Sequence, residues 1–230
     1  MKSPITTPCL CLVTDLNQCN GSVLELQRKV AQAVQGGVNL VQLREKDLPA
    51  GQLLDLANEL RLITQGSALF FVNDRIEVAM ACGADGVQLG EKSHPVGAAR
   101  KLVGDKLYLA RSVHSLEGAL AAEAGGADFL VVGSVFSTLS HDNAGVISPQ
   151  VFARIADKTS VPLLGIGGVT AANVGKVIAA GASGAAVIRA ILGADDSGRA
   201  ARELREAIDA VWLNFHTDES RTTVASVHST

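Results

Sequence analysis

The chain has 230 residues, enough for one complete eight-unit β/α barrel, since such barrels run to roughly 250 residues. Hydrophobic residues make up 47% of it, which excludes a disordered chain, and aromatics only 3%, too few rings for a nucleic-acid stacking platform. Lys plus Arg number 20 against 23 for Asp plus Glu, a net charge of −3, so a polyanion finds no broad basic surface, while a local phosphate site remains compatible.

The N-terminus carries one early lysine but no apolar run followed by a small-residue cleavage site, and no apolar run reaches the length that spans a bilayer. These features predict a cytoplasmic protein with neither membrane nor nucleic acid as partner. Short, nearly continuous apolar runs then alternate with amphipathic stretches, as expected when both faces of parallel strands are covered. The first run is Leu10 to Val13, where Cys9 and Cys11 point the same way from one strand. The spacing of Cys9, Cys11, Cys19 and Cys82 matches no zinc pattern, so they read as small buried hydrophobes, with Cys19 exposed in a loop. Val23 to Val34 follows as a helix, with Val23, Leu26, Val30 and Val34 at helical spacing.

The second strand, Leu40 to Leu43, runs into Arg44-Glu45-Lys46. Alternation places Gln42, Arg44 and Lys46 on one side and Leu43 and Glu45 on the other. Two cations and an amide at a barrel mouth suit a phosphorylated substrate. A helix over Gly51 to Leu62 leads to the third strand, Leu69 to Val72, and then to Asn73-Asp74-Arg75. Asp74 suits either a bound Mg²⁺ or the cap of a helix beginning near Ile76, and both readings stay open. The fourth strand, Gly86 to Gln88, is followed by Glu91, Lys92, Ser93 and His94; Lys92 and Ser93 are candidates to reach a ligand.

After the fifth strand, Leu107 to Ala110, comes Arg111-Ser112-Val113-His114, where an imidazole can move a proton near neutral pH and a neighbouring hydroxyl can orient a substrate. Ser115 caps the next helix. Beyond the sixth strand, Phe129 to Val132, the polar stretch from Ser137 to Gly145, including Thr138 and His141, reads as a lid over the ligand. Ser148 followed by Pro149 opens a helix. The seventh strand, Pro162 to Gly165, leads into Ile166-Gly167-Gly168, and Thr170 is expected to cap the helix that holds Val174 and Val177. The eighth, Ala185 to Ile188, leads into Arg189-Ala190. Glycines let backbone N–H groups approach an anion, a helix start adds its dipole, and the loops after strands seven and eight are where barrels commonly bind phosphate.

Four related phrases precede strands: Gly37-Val38-Asn39, Gly83-Ala84-Asp85, Gly126-Ala127-Asp128 and Gly181-Ala182-Ser183. Each supplies a helix C-cap, a small packing residue and a polar turn. The final helix is expected over Arg199 to Trp212. The reading is a closed (β/α)8 TIM barrel over residues 1–215, with 216–230 as a flexible tail and an open doubly wound sheet as the alternative.

Several of these segments together resemble the family that contains thiamine phosphate synthase and the thiazole tautomerase TenI. They are Val41 through Lys46, Val72-Asn73-Asp74-Arg75, Gly83 through Gly90, Gly126 through Phe129 and Gly165 through Gly168, within a similarity from about Leu12 to Ile191. The resemblance implies a homodimeric barrel acting on a small phosphorylated thiazole, with phosphate at Gly167, Gly168 and the helix start at Ile188 and Arg189. A synthase would join a pyrimidine pyrophosphate to a thiazole phosphate with Mg²⁺ on the leaving group, held at Asp74. A tautomerase would shift a proton on thiazole carboxylate phosphate and need no cofactor. Where the synthase pattern has a second Asp, this chain has Ser93; where its lid has Thr-x-Thr-Lys, this chain has Thr138-Leu139-Ser140-His141. Those departures, and the TenI-like stretches Gly86 to Ser93 and Arg111 to Glu117, favour the tautomerase. His114 would then move the proton, Gln42, Arg44 and Ser112 would orient the substrate, and Lys46, Asn73, Lys92, Thr138 and His141 would bind it. The synthase stands second; a non-catalytic sensor of a thiamine precursor and a generic phosphate-binding barrel stand behind it.

Overall fold

The computed structural model describes residues 5–137 and 146–225, with side chains through residue 215. Its eight parallel strands are β1 (Cys9–Val13), β2 (Leu40–Leu43), β3 (Leu69–Asn73), β4 (Gly86–Leu89), β5 (Tyr108–Val113), β6 (Phe129–Gly133), β7 (Leu163–Ile166) and β8 (Gly184–Val187). They close in chain order, with β8 pairing back onto β1 through Cys9↔Gly184 to Leu12↔Val187. The open-sheet alternative is thereby excluded. Closure leaves no strand edge to pair with another chain.

Around the barrel lie α1 (Val23–Gln35), α2 (Ala50–Thr64), α3 (Ile76–Ala81), α4 (Val96–Val103), α5 (Leu116–Ala124), α6 (Pro149–Lys158), α7 (Val174–Ala179), α8 (Arg189–Leu192) and α9 (Ser197–Ala225). The period of two in each strand sorts the core into two compartments. One set of side chains packs against the helices, including Leu10, Leu12, Val41, Leu43, Val72 and Leu130. The other fills the barrel itself, including Cys9, Cys11, Val13, Leu40, Phe71, Phe129 and Leu164. Phe71 packs edge-on against Phe129 with centroids 5.4 Å apart. Gly86 makes room for it: a Cβ there would sit 2.4 Å from the Phe71 ring.

Several expected helix ends hold. The Ser115 and Ser148 hydroxyls accept from the backbone N–H groups of Gly118 and Val151, and Pro149 stands in the first turn of α6; Ser22, not singled out in the sequence, caps α1 by accepting from Glu25 N–H. Thr170 does not cap α7. Asn173 occupies that position, and its Oδ1 accepts from Thr170 N–H at 2.8 Å, so the turn closes on itself one step before the helix. Cys19 is buried, not exposed, because the short 3-10 turn Leu16–Cys19 folds it onto the core packed between strands and helices. The last helix continues past Trp212 to Ala225, into the stretch read as a tail; residues 226–230 lie outside the described part.

Three of the four phrases act as side-chain latches at the N-terminal end of the barrel, while the fourth ties in by backbone, the Ser183 carbonyl accepting from Cys9 N–H at 2.9 Å. Asn39 Oδ1 accepts from Leu10 N–H, Asp85 Oδ2 from Phe70 N–H and Asp128 Oδ2 from Leu109 N–H, at 2.8, 2.8 and 2.7 Å. Each polar side chain thus satisfies a backbone donor at the neighbouring strand's start. Arg61 forks onto Asp85 at 2.8 and 3.2 Å, and Arg100 reaches Asp128 at 2.6 Å. The latches fix one end of the barrel and leave the opposite, C-terminal end for chemistry.

Candidate active site

At the C-terminal end of the strands, the inward positions turn polar. Gln42, two residues beyond Leu40 on β2, is buried inside the barrel, and its Nε2 donates to Asn73 Oδ1 at 3.1 Å. Asn73 closes β3, and its Nδ2 donates to Asp74 Oδ2 at 2.9 Å. Asp74 adopts a left-handed backbone, φ 59°, which short polar side chains tolerate better than others. That turn aims its carboxylate away from α3 and across to the loop after β4. There Gly90 N–H donates to Asp74 Oδ1 at 2.8 Å, and the Ser93 hydroxyl donates to the same oxygen. Asp74 therefore caps no helix; Arg75 holds the α3 cap position and contributes no side-chain cap.

A second pair completes the layer. Gln88, buried on β4, donates through Nε2 to Ser112 Oγ at 2.9 Å. Strand β5 runs to Val113, beyond the expected end at Ala110, so Ser112 lies within the strand at an inward position. Sequence reasoning selected Ser112 but not Gln88. The signal was available: Gln88 follows Gly86 by two, as Gln42 follows Leu40, so both amides lie on the inward face.

The alternation expected through Lys46 stops where β2 stops. Glu45 and Lys46 both line a cleft of about 250 Å³ with Asn73 and Asp74. Glu45 Oε1 accepts from the Thr14 hydroxyl at 2.6 Å and Oε2 from Leu16 N–H at 3.1 Å, while Thr14 Oγ accepts from Arg44 N–H at 2.9 Å. Thr14, fully buried, was not foreseen; a lone threonine one residue past a strand carries no distinguishing pattern. Burial raises the Glu45 carboxyl above its ordinary value, against the lowering effect of the Thr14 and Leu16 bonds.

His114 lies on the rim, half exposed, with Nδ1 3.0 Å from Glu91 Oε2. Arg111 braces that rim by donating to the Glu91 and His94 carbonyls at 2.8 Å each. Lys92 is exposed on the same loop. Across the mouth, Gly167 and Gly168 have φ of 102° and 64°, and the loop after β6 lies directly on them. A Cβ at Gly167 would meet Ser134 Cβ at 2.6 Å, and one at Gly168 would meet Ser137 O at 2.7 Å. The β7–β8 register, Ile166↔Ala186, brings this turn beside Val187 and Ile188, where α8 begins. Arg189 opens that helix exposed, its aliphatic stem against Gly193. The structure thus joins Gln42, Asn73 and Asp74 directly, pairs Ser112 with Gln88, and sets the glycine turn beside the start of α8. It gives no contact between His114 and the interior layer. Thr138 and His141 lie outside the described residues.

A family model described as thiamine monophosphate synthase matches residues 10–191. A thiamine-phosphate synthase of Pyrococcus abyssi is 43% identical over 185 residues, 80% of this chain and 89% of that protein. One from Methanoculleus marisnigri is 47% identical over 180 residues, 77% and 85% of the two chains. The solved structure of a thiamine phosphate pyrophosphorylase from Pyrococcus furiosus superposes with a TM-score of 0.81 at 38% identity, covering 88% of this chain and 96% of that one. These similarities overturn the tautomerase preference drawn from Ser93, the lid and the TenI-like stretches: the relatives are synthases along most of their length. An enzyme of the synthase type replaces it. The physical reason is local. A missing carboxylate and a changed lid residue bear on how charge is compensated, and they do not identify the bond being made.

Proposed function

The chain belongs to the thiamine monophosphate synthase family, and on that premise we propose that it joins a hydroxymethylpyrimidine pyrophosphate to a thiazole phosphate, releasing pyrophosphate. The observation that carries this reading is the 43% and 47% identity to curated thiamine-phosphate synthases over 85–89% of their lengths. The polar mouth of the barrel supports it. In the reaction a bond forms between the two heterocyclic substrates while the pyrophosphate leaves with the electrons of the broken bond. Negative charge grows on the leaving group, so catalysis asks for positive charge and hydrogen-bond donors fixed in advance.

Lys46, in the cleft with Asn73 and Asp74, and Arg44, two residues before it and tied by its backbone N–H to Thr14, would bring positive charge toward the pyrophosphate. Gln42 and Asn73 already hold one another, so each presents its remaining amide groups in a set orientation to the pyrimidine. Gln88 orients the Ser112 hydroxyl in the same way. Gly167, Gly168 and the start of α8 at Ile188 and Arg189 would take the thiazole's phosphate through backbone N–H groups. His114, held to Glu91 at the rim, serves in this reading as an edge contact and moves no proton.

Mg²⁺ favours oxygen ligands and is commonly held by one or two carboxylates plus substrate phosphates. The donor set fits that description: Asp74 would hold the ion, with the Ser93 hydroxyl beside it, and no cluster of three His, Cys, Asp or Glu exists among the described residues. When bound, the ion would neutralise charge on the departing pyrophosphate. The same proposal extends to a homodimer in the cytoplasm; among the described residues no helix is long and apolar enough to cross a membrane. Expression in a bacterium that lacks its own thiamine-phosphate synthase should restore growth without added thiamine. Absence of growth, with the protein present and folded, would sink the proposal.

A further inference from the structure

Lys29 is a buried lysine that the reaction does not touch. It sits on α1 with 8% of its surface exposed, and its Nζ donates to Leu192 O at 2.6 Å and Ala194 O at 3.1 Å. Leu192 closes α8, a helix of only four residues, and Ala194 lies two residues beyond it. Such a helix is too short to persist on its own, and its last carbonyls have no partners within it. Side chains from outside supply them: Lys29 takes Leu192 O and the Ala194 carbonyl just beyond, and the Ser197 hydroxyl donates to Ile191 O at 3.0 Å. A buried ammonium is unfavourable unless fully hydrogen-bonded, and a cation at a helix C-terminus is matched to the dipole.

We propose that Lys29 is a positioning residue for phosphate binding: it fixes α8 from behind, and so sets the backbone of Ile188 and Arg189 against the Gly167–Gly168 turn. The assignment rests on the reading that this turn and α8 receive the thiazole's phosphate. The opposite end of α8 is tied through the chain itself, since Ile188 follows Val187, which pairs with Leu12 of β1, and makes no side-chain cap. Loss of Lys29 frees the far end of α8, so that its single turn tilts about the β8 junction and the Ile188–Arg189 backbone shifts against the glycine turn, while the Gln42–Asn73–Asp74 run stays in place. The two substrates should respond differently.

The test compares the unsubstituted enzyme with Lys29→Met and Lys29→Arg. In Lys29→Met, KM for the thiazole phosphate should rise by about tenfold or more, with KM for the pyrimidine pyrophosphate and kcat changed much less. Calorimetric titration of thiazole phosphate alone should show the same loss of affinity, and Lys29→Arg should recover most of it. If Lys29→Met does not fold, Lys29→Gln, which keeps N–H donors but loses the charge and reach, is read in the same way. A lowered Tm with both KM values unchanged would overturn the proposal and leave Lys29 as a packing residue. Equal rises in both KM values would overturn it too. An unsubstituted enzyme that makes no product fails the synthase reading instead; thiazole phosphate affinity then still tests Lys29 alone.

Discussion

Asp74 is the residue on which most of the site's geometry converges. Three donors meet its carboxylate, from Asn73, Gly90 and Ser93. Asp74→Asn keeps the size, removes the charge and sets an amide NH2 against one of those donors, so it should lower kcat/KM for pyrophosphate release by about a hundredfold with some loss of Tm. A variant within about threefold of the parent would remove Asp74 from the charge-compensating role. Glu45 makes a different prediction. Its carboxyl is raised above 4.5 chiefly by burial, so the folded state holds a proton that the unfolded chain gives up. Its contribution to stability is present below the unfolded value and is lost as pH rises through the raised folded value. Urea midpoints at acid and neutral pH should show Glu45→Gln losing less stability over that rise than the parent; an identical pH profile for the two would contradict this. Little of this scale was legible in the sequence. Gln42, Asn73 and Asp74 could be placed at strand ends by pattern. Which donor met which acceptor depended on the Asp74 backbone turn and on a register between neighbouring strands that no local motif encodes.

At the scale of elements the sequence spoke more clearly. Hydrophobic runs located all eight strands to within a few residues, because each is buried on both faces and bounded by glycine or a polar turn. It failed where tertiary contacts outweigh local signals. Strand β5 outlasts its apolar run through Arg111 and Ser112 because Leu130 and Val131 pair with them, and Thr170 yields the α7 cap position to Asn173. The Gly-Ala-Asp phrases have a consequence for stability. Asp128→Ala would leave Leu109 N–H without its acceptor and take the carboxylate from Arg100, which keeps the Gly104, Leu107 and Gly126 carbonyls, and should cost about 1–3 kcal/mol in a denaturant titration. Activity of the folded fraction should be unchanged, because the latch lies at the far end of the barrel. At the other end Gly168→Ala has the reverse signature. Its φ of 64° and the Ser137 carbonyl leave no place for a methyl group, so affinity for thiazole phosphate should fall by about tenfold or more. Unaltered affinity in that variant would move the phosphate elsewhere.

For the whole molecule, barrel closure and the latches define a rigid frame whose open end carries one polar layer and one glycine turn. That much follows from periodicity and from where barrels place their chemistry. The choice between two reactions of one family did not follow, because the resemblance implies one phosphate turn for both and the sequence patterns differ in few groups. The central claim is tested most directly by mixing purified protein with hydroxymethylpyrimidine pyrophosphate and thiazole phosphate, with Mg²⁺ and with a chelator, and following pyrophosphate release. The account predicts pyrophosphate formed one for one with thiamine phosphate, and its loss when the metal is removed. Folded protein that binds both substrates and releases no pyrophosphate at any Mg²⁺ concentration would contradict it.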